Sequence, residues 1–482
     1  MPKARRGFLI AGIGLALTAP ARAEDLRGAL RQVYESNPDL QAARANQRAT
    51  DEGVPIAKAP GRPSVSGTAT YTEFVKRSPN SFTSPARAFD AQANLAVPIY
   101  SGGAVKNAVR AAETRVEAGQ ASLRGTESAI FSQTVATYMD VILNEAVVGL
   151  NRGNVDVLRV NLEATKDRFQ IGDLTRTDVA QSEARLATAR SDLRTAESNL
   201  IGSRERYIQV VGTAPGALEP PPPLPGLPAN ADEAVQVALD TNPDLIAARE
   251  SARAAGYDVS AAGAGRLPKV SVFAGPDYTT YLGTLGGSSA STGAFTQSQV
   301  TAQAGIRATI PIFQGGLPAA QRRQAQARQS AALENEIGTE RDIIAQTRAA
   351  YASWQAANAI IASSQTAVDA ATLSLEGVRA ENSVGNRTIL DILNAEQELL
   401  QARVRLVTAR RNAYVAGFSL LAAMGRAEAR DLGIDGGPLY DPDSNYQRVR
   451  GKWSDWASDP APKPQATRTV DTRAQNGEIP GK

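Results

Sequence analysis

The chain repeats one sequence pattern at a fixed distance. Residues 382–394 read NSVGNRTILDILN, and residues 170–182 read QIGDLTRTDVAQS. The two stretches align without a gap, with Gly172 lying 213 residues before Gly385. A constant offset indicates a tandem duplication, so each half of the chain should form the same unit. In both copies the glycine lies in a short turn between long helical stretches, which predicts the far end of an antiparallel helical hairpin.

The composition excludes several classes of function. The 482 residues contain no Cys and no His, which excludes disulfides, His-based catalytic triads and His metal sites. The Gly-Gly turns at residues 102–103 and 315–316 lack the Lys of a phosphate-binding loop. Acidic residues are mostly interleaved with Arg, as on a solvated helix surface. We therefore predict that the protein is not an enzyme, binds no metal and needs no cofactor.

The first 23 residues have the pattern of a secretory signal. Basic residues precede an apolar run at residues 8–19, and an Ala-Arg-Ala motif ends at Ala23, after which we expect cleavage. A membrane-anchoring helix is the alternative, but the run is too short to span a bilayer. Cleavage removes four basic residues and no acid, so the net charge of +3 becomes negative. Nothing then favours binding to nucleic acid.

Alternating residues predict two β-hairpins, at residues 63–99 and 267–313. The alternation is clearest in the last strand, where every second residue is apolar: Val300, Ala302, Ala304, Ile306, Ala308 and Ile310. Period two indicates a strand with one apolar face. A sheet over a soluble core is possible, but no other segment looks fit to cover that face. We therefore predict membrane-spanning strands, which need about 9–11 residues each.

Four strands cannot close a bilayer barrel alone, because every edge must be paired and single-chain bacterial barrels begin at about eight strands. The chain must therefore associate, as two copies with eight strands or three with twelve. Composition does not choose between these numbers.

The long helical hairpins are predicted at residues 102–213 and 315–425. The outgoing helices, of about 65 residues, should measure roughly 100 Å. In the returning helix of the second copy, small and large apolar residues alternate at a spacing of three or four: Ile392, Ala395, Leu399, Ala402, Leu406 and Ala409. A second stripe, which includes Leu393 and Leu400, runs beside this seam. Two apolar flanks suit a closed ring of helices, although a two-helix coiled coil is the simpler alternative.

The remaining boundaries follow from composition. The first repeat covers residues 24–213 and the second residues 231–425, joined by a Pro-rich linker at residues 214–230. A segment at 426–457 contains the Tyr440-Asp441-Pro442 motif, Tyr446, Trp453 and Trp456, which we expect to pack on the helical body. Residues 458–482 are rich in Pro, Gly and polar residues, which predicts a disordered tail.

Opposite charges lie at the two hairpin turns. Asp178 and Asp391 begin the returning helices, where a carboxylate also interacts favourably with the helix dipole. Arg176 and Arg387 lie close to them in sequence. In a ring of copies these side chains would form rings at one end of a tube. Acidic rings favour cations, and Arg–Asp pairs between helices could hold that end shut.

The whole pattern resembles the TolC family of outer-membrane efflux and type I secretion ducts, over about residues 25–456. The resemblance rests on two NPDL motifs, two P-I-[YF]-x-G-G motifs and the two turns; the motifs lie at residues 37–40, 242–245, 98–103 and 311–316. The C-terminal LYDPDSNYQRVRGKWSDW looks like the secretion branch of this family.

The resemblance implies a homotrimer with a twelve-stranded barrel in outer-membrane lipid and a twelve-helix periplasmic tunnel. Residues 426–457 would belong to an equatorial layer around the tunnel. The tip would be closed at rest and opened by an inner-membrane ABC or proton-driven transporter with its periplasmic adaptor. By motif match, Arg387 and Asp178 fall where the family's tip links form, and Asp391 where an aspartate ring constricts the entrance.

The match at the tip is incomplete. Asn382 replaces a tyrosine that helps to latch the tip of the best-known member, and Asn394 replaces a second aspartate, so the resemblance implies a weaker latch and a less cation-selective entrance. It also implies adaptor contacts at the exposed turn residues, which are Gly172, Asp173, Gly385 and Asn386.

Together these features predict a passive conduit for type I protein secretion. Small-molecule efflux through the same duct is the alternative. A periplasmic coiled-coil adaptor is a third reading, but its barrel-sandwich domain is not found in the sequence.

Overall fold

A computed structural model describes residues 24–76, 84–286, 295–434 and 439–479. The predicted secretory signal lies outside these residues, as do the tips of both predicted β-hairpins.

Each repeat contains short helices, two strands and two long helices in that order. The first consists of α1 (Leu26–Ser36), α2 (Pro38–Asp51), α3 (Gly53–Lys58), β1 (Ser64–Glu73), β2 (Arg87–Tyr100), α4 (Ala104–Gln170) and α5 (Arg176–Val211). The second consists of α6 (Ala231–Thr241), α7 (Pro243–Gly263), β3 (Lys269–Thr280), β4 (Ser298–Thr309), α8 (Leu317–Ser383) and α9 (Ile389–Ala423), and α10 (Pro442–Val449) follows. The single helix α7 of the second repeat stands where the first has α2 and α3. Asn37 and Asn242 cap α2 and α7 as their NPDL motifs predict, since each side chain accepts two backbone N–H groups.

The long helices lie side by side. Helices α4 and α8 have 67 residues each, which corresponds to a length of roughly 100 Å. Helix α4 packs against both α5 and α9, and α9 packs against α8, so the two hairpins form a row in the order α5, α4, α9, α8. The predicted seam is buried in α9, where Ala395, Ala402 and Ala409 are each at most 7% exposed. In the described parts of the chain, every helix is too short or too polar to span a membrane.

The four strands form one antiparallel sheet in the order β1-β2-β3-β4. Its register places apolar residues opposite apolar residues, such as Val65 opposite Leu95 and Val272 opposite Ile306. The sheet therefore has the apolar face and the polar face that the alternation predicts. That apolar face is uncovered, with Val65 76% and Ile306 75% exposed. Within the described sheet, one edge of β1 and one edge of β4 have no neighbouring strand.

The main hydrophobic core lies where α1, the middle of α4, the end of α5 and residues 427–434 meet. Its largest fully buried side chains include Phe131, Tyr138 and Tyr207. The hydroxyl of Tyr138 donates to the carbonyl oxygens of Glu24 (2.9 Å) and Glu219 (2.7 Å), which ties the start of the described chain to the linker. This core packs α1 and residues 427–434 against the middle of the long helices.

Residues 426–434 lie at this core, and residues 439–457 lead from it towards the sheet. The backbone N–H of Ala429 donates to Glu127 (2.7 Å), Asn445 donates to Asp51 (2.6 Å), and further along Arg62 donates to the carbonyl oxygen of Lys452 (2.6 Å). The segment thus follows α2 and α3 as far as the start of β1.

Tyr440 packs against the main core and Tyr446 against a smaller cluster of α3 and α4, as expected. Trp453 and Trp456 are exposed by 69% and 95%, so for these two residues the expectation is wrong. The reason is their position, because the segment has already reached the end of α3 when it arrives at these residues.

The C-terminal tail differs from the expected disorder. Residues 459–479 form no helix or strand, but the guanidinium of Arg204 donates to the carbonyl oxygens of Asn476 and Glu478, both at 2.8 Å. Ile479 reaches a cavity of about 660 Å³ between α4 and α9. The backbone N–H of Gln475 also donates to Glu205 of α5 at 3.0 Å. Composition missed this arrangement because these contacts come from side chains on a distant helix.

Candidate functional site at the helical turns

The two hairpin turns have the same backbone geometry. Gly172 and Gly385 both have φ of +83°, a left-handed conformation that glycine adopts without strain. The N–H of Asp173 donates to the carbonyl of Arg168, and the N–H of Asn386 to that of Glu381, both at 2.9 Å. These bonds satisfy carbonyls at the end of the outgoing helix. Residues within each turn therefore determine its conformation, and both repeats contain the same turn.

Each returning helix begins with a capping box. The carboxylate of Asp178 accepts the backbone N–H (2.9 Å) and the hydroxyl (2.7 Å) of Thr175, whose own hydroxyl oxygen accepts the N–H of Asp178. Asp391 and Thr388 repeat the arrangement with bonds of 2.9 and 2.8 Å. The threonine hydroxyl caps the N–H of the aspartate, and the aspartate carboxylate in turn caps the N–H of the threonine, so N–H groups at both positions are satisfied.

The charge of both aspartates is stabilised in place. The backbone N–H of Thr175 lowers the pKa of the Asp178 carboxyl, and that of Thr388 lowers the pKa of Asp391. Both carboxylates therefore stay ionised near neutral pH, at the positive end of a helix dipole. The turns present fixed negative charge at the end of the rods.

The arginines of the turns bind other carboxylates within this chain. Arg387 donates through Nε to Glu381 at 2.7 Å, and this bond raises the pKa of Arg387. Its carbonyl oxygen accepts the amide of Asn382 at 2.6 Å. Arg387 and Asp178 lie on different hairpins and do not bind each other within the chain. Arg176, at the first position of α5, is exposed.

A polar layer lies just inside the turns and was not foreseen. Glu396 is 6% exposed and accepts hydrogen bonds from Asn161 of α4 (3.0 Å) and Arg379 of α8 (2.9 Å). Asn394 accepts one from Arg185 of α5 at 2.7 Å. Together these bonds connect α9 to the three other long helices. The signal for Glu396 was its spacing, three residues after Leu393 on the second apolar stripe.

A buried charge in this position stabilises one arrangement of the helices rather than the fold in general. The carboxylate of Glu396 is 5% exposed, whereas the side chain of Arg379 is 50% exposed, so removing Arg379 or Asn161 would leave a buried charge with fewer hydrogen-bond donors. Sliding α9 by one turn would separate Glu396 from both Asn161 and Arg379. The layer therefore fixes the register of the helices beside the turns.

Comparison with known proteins agrees with this architecture. Residues 29–213 and 234–426 match the family described as Outer membrane efflux protein. The chain is 34% identical over 442 residues to the outer membrane efflux protein BepC of Brucella suis, covering 91% of this chain and 94% of that protein. It is 26% identical over 436 residues to the outer membrane protein TolC of Escherichia coli, covering 87% and 86%.

The fold is also similar to a solved channel. The Campylobacter jejuni CmeC outer membrane channel superposes with a TM-score of 0.73 at 16% identity, covering 88% of this chain and 89% of that one. These findings confirm the predicted resemblance and the prediction of a channel rather than an enzyme. On this evidence the chain belongs to the outer membrane efflux protein family, whose members are channels of the outer membrane that reach into the periplasm.

Proposed function

We propose that three copies of this chain form a continuous conduit across the outer membrane and periplasm, and that the conduit serves type I protein secretion. The observation that carries the assembly is the sheet, which has an uncovered apolar face and two edges without neighbouring strands. In a bilayer such edges must be paired. Joining β4 of one copy to β1 of the next satisfies them, and three copies give twelve strands.

The helical row supports the same assembly. Helices α5 and α8 lie at its ends, so each has one flank without a neighbouring long helix among the described elements. On α8 this leaves large apolar side chains exposed, with Ile337 45%, Ile360 54% and Leu373 71% accessible. Packing α8 of one copy against α5 of the next removes this surface from water, at about 25 cal/mol per Å².

Cysteine cross-linking tests the closure, because the chain contains no cysteine of its own. Thr68→Cys in β1 is combined with Thr301→Cys or Gln303→Cys in β4, all on the polar face. We expect an oxidant to produce linked dimers and trimers on denaturing gels. As a control, Thr68→Cys with Gln92→Cys joins residues that are opposite each other within one chain and should give no ladder. A ladder that stops at two copies would contradict the trimer.

The turns are the proposed gate and the proposed contact with the adaptor. Their charged residues lie at the far end of the rods, where opening by an inner-membrane transporter and its adaptor would occur. Between copies, Arg387 of one turn could reach Asp178 of the next, as the family resemblance implies. Gly172, Asp173, Gly385 and Asn386 are exposed at this end, as a docking contact requires.

We propose secreted proteins as the cargo because of the C-terminal segment and because one relative is named for protein secretion, although the names of the relatives differ. Relatives include a Pseudomonas aeruginosa protein named for alkaline protease secretion and a Cupriavidus metallidurans protein named for cobalt-zinc-cadmium resistance. Small-molecule efflux is the second candidate, favoured by the name of the Brucella suis relative. Deleting the gene distinguishes the two: loss of proteins from the culture medium supports secretion, whereas sensitivity to small toxic compounds with unchanged secreted proteins supports efflux.

A further inference from the structure

We propose that Trp453 and Trp456 form an interfacial anchor, which inserts from outside the sheet into the headgroup region of the periplasmic leaflet of the outer membrane. The partner surface is phospholipid. This goes beyond the proposed conduit, since it concerns residues outside both repeats, and it rests only on the outer-membrane location.

The position of the segment carries the first step. Arg62 lies two residues before β1, and its guanidinium donates to the carbonyl oxygen of Lys452 at 2.6 Å. Trp453 then shares the lining of a cleft of about 880 Å³ with Val65, which is the first apolar residue of β1. The tryptophans thus lie at the level where the apolar face of the sheet begins.

Their exposure carries the second step. Two of the three tryptophans of the chain lie here, 69% and 95% exposed, although tryptophan is a highly buried residue on average. An indole has an apolar body and one N–H donor, so it partitions to the boundary between headgroups and acyl chains. Contact with lipid headgroups would account for exposed indoles where the apolar face of the sheet begins.

Neighbouring residues extend the same surface. Ile56 of α3 lines the cleft beside Trp453 and is 70% exposed. At the periplasmic ends of the strands, Tyr100 and Phe313 are 49% and 87% exposed. Aromatic girdles flank the apolar band of membrane barrels. The C-terminal segment adds two indoles to the periplasmic girdle without adding a strand.

Fluorescence quenching by brominated lipids tests the anchor with an internal control. Trp354 lies in α8, 37 residues after its start at Leu317, and therefore about 55 Å from the strands. Trp354→Phe leaves the two proposed anchor residues as the only tryptophans. The double variant Trp453→Phe, Trp456→Phe leaves only Trp354. Both are reconstituted in vesicles, and only protein that floats with lipid is measured.

With phospholipid brominated near the headgroup, we expect Trp354→Phe to lose more than half of its fluorescence and the double variant to lose almost none. Bromination near the chain end should quench Trp354→Phe less. If iodide in water quenches Trp354→Phe as strongly as free indole while brominated lipid has no effect, the indoles are in water and the anchor is wrong. If neither agent quenches it, protein covers them, which also overturns the proposal.

The two outcomes separate the anchor from the conduit. Cross-linked trimers with unquenched tryptophans would refute only the anchor. Failure to float with lipid would refute the membrane location on which both depend. Because the indoles are exposed, their replacement by Phe should leave the fold intact.

Discussion

Asp178 and Asp391 each have two possible tasks at the residue scale. Their carboxylates hold the first turn of a returning helix through Thr175 and Thr388. The same charges are the proposed partners of a gate between copies. A substitution that removes the side chain would change the cap and the gate together, so the two tasks need variants that separate them.

Asp178→Asn makes this separation. The amide oxygen of Asn can still accept the N–H of Thr175, whereas the charge is lost. If the gate depends on charge, Asp178→Asn and Asp178→Ala should both raise the single-channel conductance in planar bilayers. If only Asp178→Ala raises it, the cap alone keeps the turn closed, and the proposed charge latch is wrong.

Arg387 provides the complementary test. Arg387→Ser removes the cation that binds Glu381 within the chain and, as proposed, Asp178 of the next copy. We expect a larger conductance than that of the wild type. Arg168→Ser is a matched control, because Arg168 binds Asp173 at the same distance of 2.7 Å in the first turn. Unchanged conductance of Arg387→Ser would contradict the gate.

Glu127 makes stability depend on pH. Burial raises the pKa of its carboxyl above the ordinary 4.5, opposed by the hydrogen bond from the N–H of Ala429. The folded protein therefore holds this proton more tightly than the unfolded chain. Stability should fall as pH rises from 4.5, until the folded carboxyl has also ionised.

Glu127→Gln keeps an acceptor for the N–H of Ala429 but cannot ionise. It should therefore remove the part of the pH-dependent loss of stability that is due to Glu127. We expect its Tm to exceed that of the wild type near neutral pH, with a smaller difference close to pH 4.5. Glu113→Gln, on the same helix with a side chain 40% exposed, should change neither value. An equal difference at both pH values would show that Glu127 does not titrate as argued.

At the scale of elements, the C-terminal tail is held to α5 chiefly by Arg204, with a further hydrogen bond to Glu205. Arg204 is 4% exposed and binds Glu145 at 2.7 Å in addition to two tail carbonyls. Arg204→Gln should release the tail, so that trypsin cleaves at Arg473 faster. Hydrogen bonds to charged groups contribute about 1.5–3 kcal/mol, and 1.4 kcal/mol changes an equilibrium tenfold. We therefore expect cleavage at Arg473 to become at least about tenfold faster.

Arg206→Gln is the control for this experiment. It removes a trypsin site and a positive charge from the same helix, but Arg206 is exposed. Equal cleavage rates of the two variants at Arg473 would contradict the role of Arg204.

The elements themselves could largely be predicted, whereas their partners could not. Period two predicted the strands, and the spacing of Ala395 and Leu399 predicted the seam, because both patterns are local consequences of which face is buried. The partner of Arg387 was not foreseen, since Glu381 and Asp178 are both carboxylates and only the tertiary structure chooses between them. Glu396 was missed for a similar reason, because its partners come from two other helices.

At the scale of the whole molecule, duplication explains why so much followed from sequence. Two copies of each motif confirmed one another, as at Asn37 and Asn242, whereas residues 426–479 occur once. The position of Trp453 and the attachment of the tail depend on that single segment. They required coordinates, since no second copy supported an interpretation.

The separation of core and sheet determines the order in which this protein can mature. In the described chain, no residue of β1–β4 belongs to a hydrophobic core cluster. The helical body therefore contains what it needs to fold in water, while the sheet, beyond its own strand pairing, has its apolar face left for lipid and, in the proposed trimer, its edges left for other copies. We expect newly exported chains to pass through a stage in which the rods are formed and the strands are still unpaired. The step that commits the protein to its membrane is then assembly rather than folding.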